Sequence, residues 1–230
     1  MKYFLRAFRY SLIPLIPLIG LPLLGWGIDD LRGFFSIYPR LGFVLAAAVP
    51  GLAEAYYVIK VGERNNLSKG EEGKLVRRQS VVPRVIGPLL FGTLFFLPFA
   101  DRRSIGVMMA GQGFRWLGLI LYGLGLVLMS WSRAALGRMY SGELTIQKSH
   151  QLIKTGLYRY IRHPIYLGML SSALGLSFLF RSWIGLVVMI PIVASLVFRI
   201  RDEEALLHKE FGPEWEAYCK GSWRFIPYLY

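Results

Sequence analysis

Two short stretches of this 230-residue chain gather the residue types that hold and orient a charged small molecule. In GLYRYIRHPIYLGML, residues 156–170, Tyr158, Arg159, Tyr160, Arg162, His163 and Tyr166 crowd together just ahead of an apolar run. A ring face attracts a cation, and a guanidinium forks onto a carboxylate or phosphate. The second stretch, Arg199, Asp202, Glu203 and Glu204, closes another apolar run. Arg199 and Glu203 are four residues apart and share one helix face. The plain alternative is anchoring: arginines snorkel, tyrosines populate interfacial belts, and an exposed ion pair contributes only about 0–1 kcal/mol.

The elements around these residues decide between the two readings. Hydrophobic residues make up 54% of the chain, above the roughly 45–50% of soluble domains. Apolar windows near 10–27, 41–61, 81–100, 114–132, 164–180 and 183–200 approach or exceed the ~18 residues needed to span a bilayer core of ~30 Å. The expectation is an all-α, polytopic membrane bundle of six spans. Pro14, Pro17 and Pro22 interrupt the first window. No small-residue cleavage site follows it, so it reads as a span and not as a secretory leader.

The net charge of +13 follows topology. With the N-terminus in the cytoplasm, 21 of the 27 lysines and arginines fall on that side, leaving Arg32, Arg40, Arg102, Arg103, Arg115 and Arg181 on the other. That bias predicts two cytoplasmic termini. It removes nucleic acid as the reason for the basicity and leaves anionic headgroups as its partners. Cys219 is the single cysteine, so neither a disulfide nor a thiolate metal site is expected.

Residues 62–80 read as a solvated connector. Residues 133–163 are too polar to be embedded and too aromatic for a loose loop, so they are expected to fold and dock. Pro164 suits the first turn of a helix with His163 at its cap. The fifth and sixth spans then form a hairpin turning near Arg181, Ser182 and Trp183. The sixth runs on as FRIRDEEALLHKEFGPEWEAYCK until Gly212-Pro213 breaks it. This hairpin brings both clusters to the same rim. Glu54, inside the second span, is expected to pair with a basic neighbour near the boundary in preference to serving transport. Gly123 and Gly125 suit close helix packing.

The ordered pattern H-Q-L-I-x-x-G-x-Y-R-Y-x-R-H-P-x-Y-x-G, a two-span hairpin, and then R-x-x-D-E-E-x-L-L-x-x-x-F-G-x-E-W-x-x-Y resembles the isoprenylcysteine carboxyl methyltransferase superfamily, which includes phospholipid N-methyltransferases. The resemblance covers 143–227, with a weaker echo at 123–137. It implies one membrane domain whose core is 114–227, with spans before residue 105 unmatched. It also implies S-adenosylmethionine as methyl donor, held between loop, rim and C-terminal helix at the cytoplasmic face. Carried over position by position, His150, Gln151, Leu152 and Ile153 match a cofactor-binding turn. Tyr158, His163, Pro164, Ile165, Tyr166 and Glu203 match further cofactor contacts, and Arg199 matches the arginine that faces the substrate carboxylate.

The chemistry of that donor is coherent with these types. Its sulfonium and ammonium call for rings and a carboxylate, and its own carboxylate calls for cationic or hydrogen-bonding partners. The acceptor implied is lipid-soluble or amphiphilic, with carboxylate O-methylation favoured and no obligate protein partner. Amine or thiol acceptors, an NADPH-dependent sterol-reductase-like activity, and a transporter stand as alternatives. A Rossmann-type glycine turn is not expected, because GQGFRW at 111–116 follows no strand-like unit.

Overall fold

The computed structural model describes residues 15–61, 81–108, 111–136 and 152–226, with the backbone alone for 53–61 and 81–85. Among these residues the regular structure is helical, apart from two isolated bridges. In chain order the helices are α1 (Leu15–Trp26), α2 (Leu31–Phe35), α3 (Tyr38–Val61), α4 (Val81–Arg102), α5 (Gln112–Leu136), α6 (Pro164–Leu179), α7 (Trp183–Phe211) and α8 (Pro213–Lys220). Short 3-10 turns at Ile28–Asp30 and Gly156–Arg159 join them.

A helix lies over each of the six apolar windows, but they are unequal. Among the described residues, α5 and α7 are individually long and apolar enough to cross a bilayer, and Ile28–Phe35 with Tyr38–Leu52, bent by 105°, would make a third crossing. At 16 residues, α6 extends about 24 Å at ~1.5 Å per residue, short of the ~30 Å hydrocarbon core. Its limits have local causes. The backbone before Pro164 is paired with the C-terminal segment, and Arg181, just past its end, takes a left-handed conformation at φ 47°.

Apolar side chains face outward along the long helices. Ile120, Leu124, Val127 and Trp131 on α5 and Val187, Ile190 and Phe198 on α7 are all exposed. Apolar surface on this scale is stable only in a lipid-like solvent, so the chain is an integral membrane protein. Inside, Phe34, Phe43, Tyr122, Leu176, Leu179 and Phe180 form the principal core.

The α5–α6 seam is made of backbone. Gly118 packs against Gly175, and Gly125 against Gly168 and Ser172. A Cβ at Gly175 would fall 2.4 Å from the Tyr122 nitrogen, and one at Gly125 would fall 2.4 Å from the Gly168 carbonyl. Small residues let membrane helices approach this closely. Ser171 Oγ adds an interhelical bond to the Leu121 carbonyl at 2.8 Å. Of the two glycines expected to pack, Gly125 does so, whereas Gly123 has open space around it. Its Cβ position meets no neighbouring helix because it lies off the seam.

At the end of α6 away from His163, three arginines meet one carboxylate. Arg115 grips Asp101 with both Nη atoms, at 2.8 and 2.9 Å, and also donates to the Leu179 carbonyl. Arg40 Nη2 reaches Asp101 at 2.7 Å and Arg181 Nη2 at 3.1 Å. The knot ties α3, α4, α5 and the α6–α7 turn together.

Candidate active site at the α6–α7 rim

The rim is assembled by three chain segments. Gly156, at φ 61°, opens the 3-10 turn in a conformation that favours glycine. The chain then runs extended into α6, with His163 at the N-cap and Pro164 at N1. Along this stretch the C-terminal segment returns in parallel. Trp223 N donates to the Tyr160 carbonyl at 2.9 Å, Arg162 N to the Trp223 carbonyl at 2.7 Å, and His163 N to the Arg224 carbonyl at 3.1 Å. Meanwhile α7 carries its polar end past the apolar window to this level.

On one face of α7, the Tyr166 hydroxyl donates to Glu203 Oε2 at 2.8 Å and accepts from Arg199 Nε at 2.7 Å. The Tyr166 ring stacks on His163, centroids 5.7 Å apart and 22° between planes. His163 is buried, at 4% exposure. Thus His163, Tyr166, Glu203 and Arg199 form one connected group.

Glu204 is rotated ~100° further round the helix and faces the returning tail. Its carboxylate takes Arg224 through Nε and Nη2, at 2.9 and 2.6 Å to Oε2, Arg162 Nε at 3.2 Å, and lies 3.3 Å from His163 Nε2. Arg162 also donates to the Cys219 and Ser222 carbonyls. Burial pushes the Glu204 carboxyl up, but its bonds to His163 and Arg224 outweigh this and bring it down to about 2.

The remaining expected residues take supporting positions. Tyr158 is buried, and its carbonyl accepts from the Tyr218 hydroxyl at 2.5 Å. Burial pushes Tyr218 up to about 12, so it remains a donor at neutral pH. Leu152 and Ile153 are half-buried ahead of the 3-10 turn, while Pro164 and Ile165 begin α6. Lys154 pairs with Glu214 of α8 at 2.7 Å, joining the described part of the loop to the tail. His150 and Gln151 lie outside the described residues, as does the side chain of Glu54.

Sequence reasoning missed the Glu204 clamp. Arg162 and Glu204 read only as members of two separate clusters, and Arg224 was not singled out. The usable signal was the lone Arg224 in SWRF, an isolated cation in an aromatic segment beyond the helical tail. Among the described residues no group of three or more His, Cys, Asp or Glu side chains is placed to hold a metal. For the expected sulfonium donor the residue types fit: Glu203 offers a carboxylate, Tyr166 and His163 offer ring faces, and Arg199 offers a cation.

Fold and rim together define a helical membrane protein with a polar, ring-lined group where a hairpin of helices leaves the apolar layer. The family described as Phospholipid methyltransferase matches residues 114–214. A protein-S-isoprenylcysteine O-methyltransferase of Schizosaccharomyces pombe is 32% identical over 214 residues, 89% of this chain and 85% of that protein. A Delta(14)-sterol reductase of Mus musculus is 40% identical over 88 residues, 35% of this chain and 20% of that protein. The solved eukaryotic intramembrane Ras methyltransferase, an isoprenylcysteine carboxyl methyltransferase without a monobody, is 17% identical. That alignment covers 99% of this chain and 97% of the other at a TM-score of 0.47. The chain belongs to the superfamily of isoprenylcysteine carboxyl methyltransferases and phospholipid methyltransferases, and is an enzyme of the methyltransferase class.

Proposed function

We propose that the chain transfers a methyl group from S-adenosylmethionine to a carboxylate on a lipophilic or amphiphilic acceptor, at the cytoplasmic face of a six-span bundle. The observation that carries this reading is the Tyr166 hydroxyl shared between Glu203 and Arg199. An anion and a cation are thereby joined through one hydroxyl where α6 and α7 leave the apolar layer. The excess of lysine and arginine on the loops at that end supports the orientation.

When bound, S-adenosylmethionine supplies an electrophilic methyl group on a sulfonium, open to in-line attack by the acceptor oxygen. Glu203 would hold the donor's ammonium or ribose hydroxyls, and the Tyr166 ring would offer its electron-rich face to the positive charge. His163, kept in place by Glu204 and the tail backbone, would hydrogen-bond polar atoms of the donor. His150, Gln151, Leu152, Ile153 and Tyr158 would form the loop side of the same pocket. Arg199 engages the acceptor's carboxylate as a fork. A carboxylate needs no proton removed at neutral pH, so alignment and exclusion of water make up the protein's contribution.

Purified protein with labelled donor tests this against four acceptors: an S-prenylated cysteine with a free carboxylate, its methyl ester, phosphatidylethanolamine and a small thiol. The expected product is a base-labile methyl ester from the free carboxylate alone. Glu203→Gln weakens calorimetric binding of S-adenosylhomocysteine, whereas Arg199→Ala spares binding and lowers turnover. If both variants bind and turn over normally, the assignment fails. The sterol reductase relative supports a second reading, NADPH-dependent reduction. NADPH binding without S-adenosylhomocysteine binding would replace the first reading with it.

A further inference from the structure

The Asp101 knot holds more positive charge than its structural task requires. Arg115 alone satisfies Asp101 in two-pronged fashion and staples the Leu179 carbonyl. Arg40 and Arg181 add two charges beyond neutrality. Arg40 and Arg115 are each 2% exposed and Asp101 is 5% exposed, so the Arg40 share of the surplus is held away from water, where an uncompensated charge is costly. The Nε atoms of both Arg40 and Arg181 are buried without a hydrogen-bond partner. Of the nearby aspartates, Asp29 is taken by both Nη atoms of Arg102, and Asp30 is turned to the start of α2, where it accepts from Gly33 N.

One member has an open edge. The Arg181 side chain is 29% exposed, and its left-handed backbone is fixed by bonds from Met108 N to its carbonyl, at 2.6 Å, and from its own N to the Phe178 carbonyl, at 3.0 Å. Exposed Phe114, Trp116 and Trp183 stand at the same end of the bundle, the residue types that mark headgroup depth. Arg40 lies behind, its guanidinium 4.0 Å from the Trp26 ring centroid.

We propose that this knot is a binding site for an anionic phosphate group, held by the outer edge of Arg181 with Arg40 and Arg115 supplying the field from behind, and filled in the membrane by the phosphodiester of an anionic phospholipid. A tetrahedral oxyanion offers several acceptors to a guanidinium fork, and a net negative headgroup offsets the surplus that a zwitterionic one leaves. The site lies one α6 length, about 24 Å, from the methyl-transfer rim and is independent of the function proposed there.

The test uses the purified full chain in a neutral detergent, with phosphatidylglycerol, phosphatidylcholine and inorganic phosphate added separately. Retention is read by native mass spectrometry and stability by thermal unfolding. Phosphatidylglycerol is expected to be retained and to raise the melting temperature by about 4 °C. Arg181→Gln should reduce retention about tenfold, while Arg103→Gln, an exposed arginine on the same rim, leaves it unchanged. Arg181→Lys keeps the charge, loses the fork and lowers retention severalfold, which keeps the test decisive if the glutamine variant fails to fold. A shift from inorganic phosphate with none from phosphatidylglycerol retains the oxyanion site and removes the lipid as its occupant. Equal retention of both lipids, equal loss in the Arg103 and Arg181 variants, or no response to either phosphate source overturns the proposal.

Discussion

Replacing Glu204 with glutamine removes one charge and leaves Arg162, Arg224 and His163 around a neutral amide. The magnitude follows from the carboxyl's own titration. Its value falls from 4.5 to about 2 on folding, and at ~1.36 kcal/mol per unit the clamp contributes up to about 3 kcal/mol. The side chain is 13% exposed, so solvent screening removes little of this. For a chain of this size that corresponds to a melting temperature lower by roughly 6–12 °C in detergent. Because the folded carboxyl titrates below the unfolded one, the contribution is complete above pH 4.5 and fades as pH falls toward 2. The gap between wild type and Glu204→Gln therefore narrows in that window. Amide hydrogen exchange should locate the loss at Arg162 and His163, whose N–H groups bond the tail carbonyls. A variant that melts within 1 °C of wild type at pH 7, with those amides still protected, would falsify the clamp.

Tyr166→Phe keeps the ring but takes away the hydroxyl shared by Glu203 and Arg199. A loss of about 1–3 kcal/mol appears as roughly fivefold to hundredfold weakening of S-adenosylhomocysteine binding by calorimetry, together with lower kcat/KM. Gly175→Ala drives a methyl group into the Tyr122 backbone and costs about 1–3 kcal/mol by thermal unfolding, whereas Gly123→Ala, with nothing within 4 Å, is neutral or stabilising. Burial pushes the Cys219 thiol up, so iodoacetamide at pH 8 labels it more slowly than the unfolded chain.

The helices were legible because each depends on local pattern. The hairpin turn at 181–183, the Pro164 start and the Gly212 break coincide with observed boundaries. The i,i+4 spacing of Arg199 and Glu203 correctly put both on the face that meets Tyr166. Two features were not legible, for a shared reason. The tail's return along 160–163 rests on main-chain bonds between segments some sixty residues apart, which leave no periodic trace in composition. The Asp101 knot gathers arginines 40, 115 and 181, which in sequence were only isolated exceptions to the charge bias.

The glycine seam determines where the bundle can breathe. With the α5 and α6 backbones in contact at Gly118, Gly125, Gly168 and Gly175, those two helices move as one plank. The opposite seam, where α7 meets α4 and α6, is filled by Ile86, Ile192, Leu196, Met169 and Leu170, side chains that can change rotamer and part. For the amphiphilic acceptor proposed above, the apolar part would therefore enter along the α7 side, close beneath Arg199, and a covalent cross-link between α5 and α6 would leave that route open.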